Sequence, residues 1–168
     1  GTYQVDAQGV VTGFEMVKPA EGESRDQRMA ESLGEFLARS TVPVPSEAVG
    51  KGGTWTVQRR LIEGGIAMDQ TSTYELKKLD GSEIAVRVTV EKSAPVQEIG
   101  TPGTYNHYTL KSFVGKGQGE RRADLSKLVP QESASKTDTE LKTFMQQQGG
   151  LALQQELRVE AQELITAP

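Results

Sequence analysis

Ile84-Ala85-Val86-Arg87-Val88-Thr89-Val90-Glu91, entered through Asp80-Gly81, is the stretch that decides the fold. Apolar residues at every second position put Ile84, Val86, Val88 and Val90 on one face of a pleated strand. Ala85, Arg87, Thr89 and Glu91 turn to the other, so one face is core and one is wet. The same alternation runs outward in both directions. In the run before it Met68, Tyr74 and Leu76 share a parity, and Asp69, Thr71, Thr73, Glu75 and Lys77 take the opposite one. Trp55, Val57 and Leu61 repeat the arrangement further upstream. Near the C-terminal end Leu153, Leu157, Val159, Ala161 and Ile165 alternate with Gln154, Glu156, Arg158, Glu160 and Gln162. Leu, Glu, Gln and Ala favour a helix there intrinsically, but the count of period-two matches favours a strand.

Turn chemistry separates these runs. Two-residue hairpin turns need positive φ angles, which glycine adopts freely. Gly64-Gly65 divides Thr54 to Ile62 from Ile66 to Leu79, Asp80-Gly81 divides that run from Ser82 to Lys92, and Gly149-Gly150 divides Ala134 to Gln146 from Leu151 to Thr166. Asp6 to Gly9 reads as a turn between Tyr3-Gln4-Val5 and Val10 to Val17, giving a short hairpin at the start.

Between Ser24 and Arg39 the period changes. Met29, Leu33, Phe36 and Leu37 fall on one side of a helix, and Arg25, Asp26, Arg28, Glu31 and Glu35 on the other. Ser24 supplies an N-cap, and Val42-Pro43-Val44-Pro45 ends the helical region in a stiff, extended linker. The pattern predicts an α+β fold, mainly β, of about nine strands and one amphipathic helix in a long antiparallel meander. Long strands with one apolar face twist and coil, so the expected sheet curves into a half-barrel closed by the helix or into a full barrel. The chain reads as one domain over residues 1–168, and its direct opening into Thr2-Tyr3-Gln4-Val5 suggests a fragment of a larger exported protein.

Composition removes several classes of function. The net charge is -4 and no element carries a basic stripe, which argues against a nucleic-acid partner. Arg59-Arg60 and Arg121-Arg122 are the densest basic pairs and read as solvated surface. No apolar run approaches the roughly 20 residues of a membrane helix, so no membrane span is expected. With no cysteine, disulfides, thiolate metal sites and cysteine nucleophiles are excluded together.

The remaining chemistry is sparse. His107, in Tyr105-Asn106-His107-Tyr108, is the single histidine and has no sequence signature of a triad or a zinc site around it. Asp69, Asp80, Asp124 and Asp138 are dispersed rather than spaced as in a calcium loop. Gly50-Lys51-Gly52-Gly53-Thr54 lacks the spacing of a phosphate-binding loop and introduces a strand. Gly115-Lys116-Gly117-Gln118-Gly119 lacks the dinucleotide fingerprint and reads as a strand bend or wide turn. Leu125 and Leu128, in the stretch that ends at Pro130, read as buried. Trp55 and Phe36 read as core anchors. No catalytic residue, metal ligand or cofactor is therefore expected, and the sequence singles out no ligand-binding residue.

Pro43-Val44-Pro45-Ser46-Glu47-Ala48-Val49-Gly50-Lys51-Gly52-Gly53-Thr54-Trp55, followed by Tyr74-Glu75-Leu76 and Leu79-Asp80-Gly81, resembles an uncharacterised family of bacterial secreted or lipid-anchored envelope domains. Gly117-Gln118-Gly119, Asp124-Leu125 and Pro130 extend the resemblance, which covers most of the chain from Val42 onward. It implies an antiparallel sheet and an exported protein, periplasmic or surface-exposed, and carries over no activity and no functional residues. The expectation that follows is a non-enzymatic envelope domain binding a lipid-like ligand or a protein segment on its curved sheet. The alternative is a structural or assembly domain of an envelope complex that docks its partners through exposed strand edges or through the helix, without a small-molecule ligand.

Overall fold

The computed structural model describes residues 2–7, 9, 11–15, 41–63, 65–99, 107–126, 131–146 and 152–166. A short hairpin comes first, β1 (Thr2–Val5) with β2 (Val11–Glu15). The body is one seven-stranded sheet made of β3 (Thr54–Glu63), β4 (Ile66–Asp80), β5 (Glu83–Ala94), β6 (Gln97–Ile99), β7 (His107–Asp124), β8 (Glu132–Gln146) and β9 (Ala152–Thr166). Its order is β3-β4-β5-β7-β8-β9, with β6 also paired to β7, and every pair is antiparallel.

The turns follow from glycine. Glu63 pairs with Ile66 around Gly65, whose φ is 80°. Asp80 pairs with Glu83, so the two-residue loop is Gly81-Ser82, one position later than the dipeptide Asp80-Gly81 suggests. Gly81 takes φ 60° at its first central position, the place where this kind of turn requires it. The Gly149-Gly150 turn lies outside the described residues, but the register from Gln146↔Ala152 to Glu132↔Thr166 is that of the expected hairpin.

One face of the sheet holds the core. Tyr74, Leu76, Ile84, Val86, Val88 and Ala123 form one buried cluster, with Val42, Val49, Trp55, Val57 and Val90 packed on it. Met68, Leu110 and Phe113 form a second, flanked by Leu61, Ile66, Ala94, Ile99 and Leu141. The extended segment 41–45 is more than a linker. Thr41 and Pro43 are buried, Trp55 Nε1 donates to the Pro43 carbonyl at 3.0 Å, and Arg121 donates to the Thr41 carbonyl at 3.3 Å. Side chains from β3 and β7 thus hold this segment over the strands between them. Trp55 also stacks on Tyr74, with ring centroids 5.5 Å apart, as a core anchor should.

Where β5 ends, a side chain replaces a strand. Pro95 has no N–H to offer to the ladder, and Gln97 fills the gap. Its Oε1 accepts from the Ala67 N–H at 2.9 Å and its Nε2 donates to the Ala67 carbonyl at 2.8 Å, so one amide does the work of a backbone partner.

Four expectations are corrected. The helix expected over Ser24–Arg39, with Phe36, falls outside the described residues; among those described, every regular element is a strand, and the fold is all-β rather than α+β. The sheet is open rather than closed into a barrel, with β3 and β9 as separate edges. Composition explains this: midway along β7 and β8 the core-side positions are Gly115, Gly117 and Gly119 and Thr139, Thr137 and Ser135, which supply no apolar filling for a closed barrel. Gly115 to Gly119 is neither bend nor turn but the middle of the uninterrupted β7. Its glycines stand opposite Thr139, Thr137 and Ser135, and a Cβ on Gly119 would lie 2.4 Å from the Ala134 carbonyl oxygen. Close approach of β8 requires the glycines at 117 and 119, while at Gly115 the nearest atom is the Lys92 Cβ of β5. Leu125, expected to be buried, is 46% exposed just past the strand end, and Leu128 is outside the described residues.

Candidate functional site

The strongest candidate is β9. In an antiparallel sheet each inner strand has partners on both edges, but β9 pairs only with β8, and among the described residues nothing hydrogen-bonds to its other edge. Every β9 residue from 153 to 162 is exposed. Along the face shared with the core, Leu153, Leu157 and Val159 keep 55%, 44% and 42% of their surface in solvent, and on the opposite face Leu164 keeps 78%. A long edge strand with an apolar stripe is a template for another strand unless something blunts it. Here no proline, glycine or bulge interrupts the ladder over its fifteen residues.

The middle of the stripe is set apart from the core. Between the buried residues of β4 and β5 and the stripe of β9 lie Gly115, Gly117 and Gly119 on β7, then Ser135, Thr137 and Thr139 on β8. This hydroxyl-lined band separates Val159 and Ala161 from Val88 and Val90, whereas Leu157 stands opposite Leu141, which packs on the second cluster.

The outer face of β8 and β9 is charged. Lys142 pairs with Glu156 at 3.2 Å, Lys136 with Glu160 at 3.9 Å, and Arg158 approaches Glu160, Glu140 and Asp138 at 3.7, 3.9 and 4.0 Å. Exposed pairs of this kind contribute little stability and mainly set which neighbour is tolerated.

A second arrangement lies on the core face between the two apolar clusters. Arg59, Gln70 and Lys92 share one row of the sheet. Lys92 Nζ donates to both Glu63 oxygens at 3.1 and 3.0 Å, and Gln70 donates to the buried Ser72 hydroxyl at 3.0 Å. Burial holds the Arg59 guanidinium below its ordinary pKa, and the nearby positive charge of Arg121 acts in the same direction. These groups are engaged with one another and with the fold.

Two surface hollows carry both apolar and charged residues in their lining. One, of about 640 Å³, is lined by Lys77, Glu83, Arg87, Glu120, Arg121 and Glu132 among others. The other, about 780 Å³, lies on the outer face between Arg87, Gln118, Glu120, Lys136, Gln162 and Leu164. Neither offers the dry, apolar lining that an acyl chain would need.

The residues singled out from sequence are scattered. Arg60 and Arg122 are exposed, but Arg59 and Arg121 are half-buried on the core face, against the expectation of solvated surface. Their parity gave the signal: Arg59 alternates in step with Trp55, Val57 and Leu61, and Arg121 with Ala123. Gly50 to Gly53 form a turn that leads into β3, with the Gly52 N–H donating to the Leu76 carbonyl at 2.7 Å and the Leu76 N–H to the Gly53 carbonyl at 2.9 Å. Asp124 caps the end of β7 by accepting from the Ser126 N–H and hydroxyl at 3.0 and 2.7 Å. The His107 backbone begins β7, and its side chain is outside the described residues. Among the described residues no three His, Asp or Glu side chains come together as metal ligands, and no helix is long and apolar enough to cross a membrane.

Fold and site together define an all-β domain built on one long open sheet with a bare apolar edge strand. The chain belongs to a family of unknown function, DUF6263, whose model matches residues 21–127. The match takes in the Pro43–Trp55 block and strands β3 to β7, and stops before β8 and β9. No curated protein and no solved structure matches the chain.

Proposed function

We propose that this is a non-enzymatic binding domain that takes up an extended protein segment by strand addition at the β9 edge. The observation that carries the reading is the exposure of Leu153, Leu157 and Val159 on an edge strand with no partner beyond it among the described residues. Strand addition provides main-chain hydrogen bonds along the edge, and alternate side chains of the incoming segment meet the apolar stripe. Of the ligands that the sequence suggests, a peptide segment suits this edge better than a lipid, because the hollows near the sheet are open and both carry Arg87 and Glu120 in their lining. A setting in the bacterial cell envelope is part of the proposal and is supported by the resemblance carried by Pro43 to Trp55.

The test is selection of binders from a random peptide display library on the immobilised chain. Peptides with alternating apolar residues should be enriched, and their binding should be lost in Leu157→Lys/Val159→Lys. No enrichment, or binding indifferent to those substitutions, overturns the reading. Lipid co-purifying with the chain at one molecule per chain overturns it in favour of an apolar ligand.

A further inference from the structure

We propose that the segment taken up at this edge is β9 of a second copy, paired antiparallel about a two-fold axis through Val159. This rests on the strand-addition reading above and names its partner. A two-fold axis perpendicular to the sheet keeps side chains of like parity together, so the core-side positions of one copy meet those of the other. Val159 is the midpoint of Ala152–Thr166, and with the axis there the whole strand overlaps its copy.

The sequence is complementary in that register and in few others. On the core side position 153 stands opposite 165, 157 opposite 161, and 159 opposite itself, which sets Leu against Ile, Leu against Ala and Val against Val. The two polar positions on that side, Gln155 and Glu163, fall opposite each other. On the outer side Arg158 stands opposite Glu160 of the second copy, twice by symmetry, and Glu156 opposite Gln162. Moving the axis by one residue sets Arg158 against Arg158 or Glu160 against Glu160. Moving it to Leu157 keeps a charge match but puts Val159 opposite Gln155 and leaves the end of the strand without a partner.

The charges within one chain ask for this neighbour. Glu160 stands directly opposite Asp138 across β8 and β9, an unfavourable like pair. Lys136 at 3.9 Å and Arg158 at 3.7 Å are the cations near Glu160, and Arg158 is also shared with Asp138 and Glu140. In the proposed pair the second copy's Arg158 stands opposite Glu160, so that each Glu160, which faces the like-charged Asp138 on one side, faces a cation on the other.

The test uses the chain's lack of cysteine. Opposed residues in an antiparallel pair have Cα atoms about 4.5 or 5.5 Å apart, within the range a disulfide spans. Under oxidised glutathione Val159→Cys should form a covalent dimer, and Leu157→Cys should not. By sedimentation equilibrium the unmodified chain should dimerise, Glu160→Arg should weaken the dimer roughly tenfold by opposing two cations at each Arg158, and Arg158→Glu/Glu160→Arg should restore it. A chain that stays monomeric, or that crosslinks equally at 157 and 159, overturns the proposal. Hydrogen exchange on that monomer separates the two readings: if the outward β9 amides exchange freely and selected peptides still bind, only the second copy is wrong. If those amides are protected in the monomer, the edge is covered within the chain and strand addition fails as well.

Discussion

In β5, Val86 and Val88 keep 1% and 2% of their surface exposed; in β9, Leu157 and Val159 keep 44% and 42%. Both strands alternate apolar with polar residues and both pair antiparallel along their whole length. The difference is made by what stands beside and above them. β5 lies between β4 and β7, and Val42 and Val49 from the extended segment add a second layer over its cluster. Among the described residues β9 has β8 on one side only, and the core-side residues of β8 facing it are serine and threonine along most of its length. An alternating pattern therefore specifies a strand and a face, while burial of that face is decided by neighbours distant in sequence.

The comparison is broken most severely on the buried side. Leu110 is 0% exposed at the centre of the second cluster, and Leu110→Ala removes most of a side chain that has no solvent to refill its place. A loss of about 2–5 kcal/mol is expected, read as a lower midpoint in urea denaturation with an unchanged slope. A change under ~1 kcal/mol would mean that this cluster is loosely packed and that the contrast with β9 is overstated.

The band between the two regions gives a smaller effect of less obvious sign. Replacing glycine inside a strand by alanine ordinarily stabilises by about 0.5–1 kcal/mol through the unfolded chain. At Gly119 the new Cβ would meet the Ala134 carbonyl oxygen at 2.4 Å, and backbone cannot step aside as a flexible side chain can. Gly119→Ala should therefore destabilise, by ~1–3 kcal/mol in the same assay. At Gly115 the nearest atom is the Lys92 Cβ at 3.3 Å, so Gly115→Ala is the milder control.

The parts of this architecture that a reader of the sequence can recover are those fixed by local chemistry. Ile84 to Val90 declare their parity in themselves, and Gly65 and Gly81 mark hairpins because few other residues adopt their φ angles. Arg59 and Arg121 mislead because charge outweighs parity in a local reading, although their alternation with Trp55, Val57 and Ala123 places them on the core face. The β7 glycines mislead for another reason. Three alternating glycines suggest a bend, and only the identity of the neighbouring strand shows that they make room for Ser135, Thr137 and Thr139. The role of Gln97 as a surrogate strand partner depends on Ala67, thirty residues away, and no local signal announces it. The β9 edge falls between these cases: Leu153, Leu157 and Val159 read correctly as one face of a strand, but their exposure depends on β8 and on the absence of a further neighbour among the described residues.

The smallest expected effect is the one that tests that edge most directly. Leu157→Ala removes as many atoms as Leu110→Ala, yet its side chain is already 44% exposed at the open edge, outside the half-buried Leu141. In a chain dilute enough to be monomeric the substitution should shift stability by no more than ~0.5 kcal/mol, as is usual for surface positions. At concentrations where β9 is paired with another strand the same substitution should lower the urea midpoint, because the removed atoms are then buried between two sheets' edges. Concentration dependence in the unmodified chain that disappears in Leu157→Ala would locate the contact on this stripe. A loss as large as that of Leu110→Ala at high dilution would show instead that the stripe is covered within a single chain, and β5 and β9 would no longer differ.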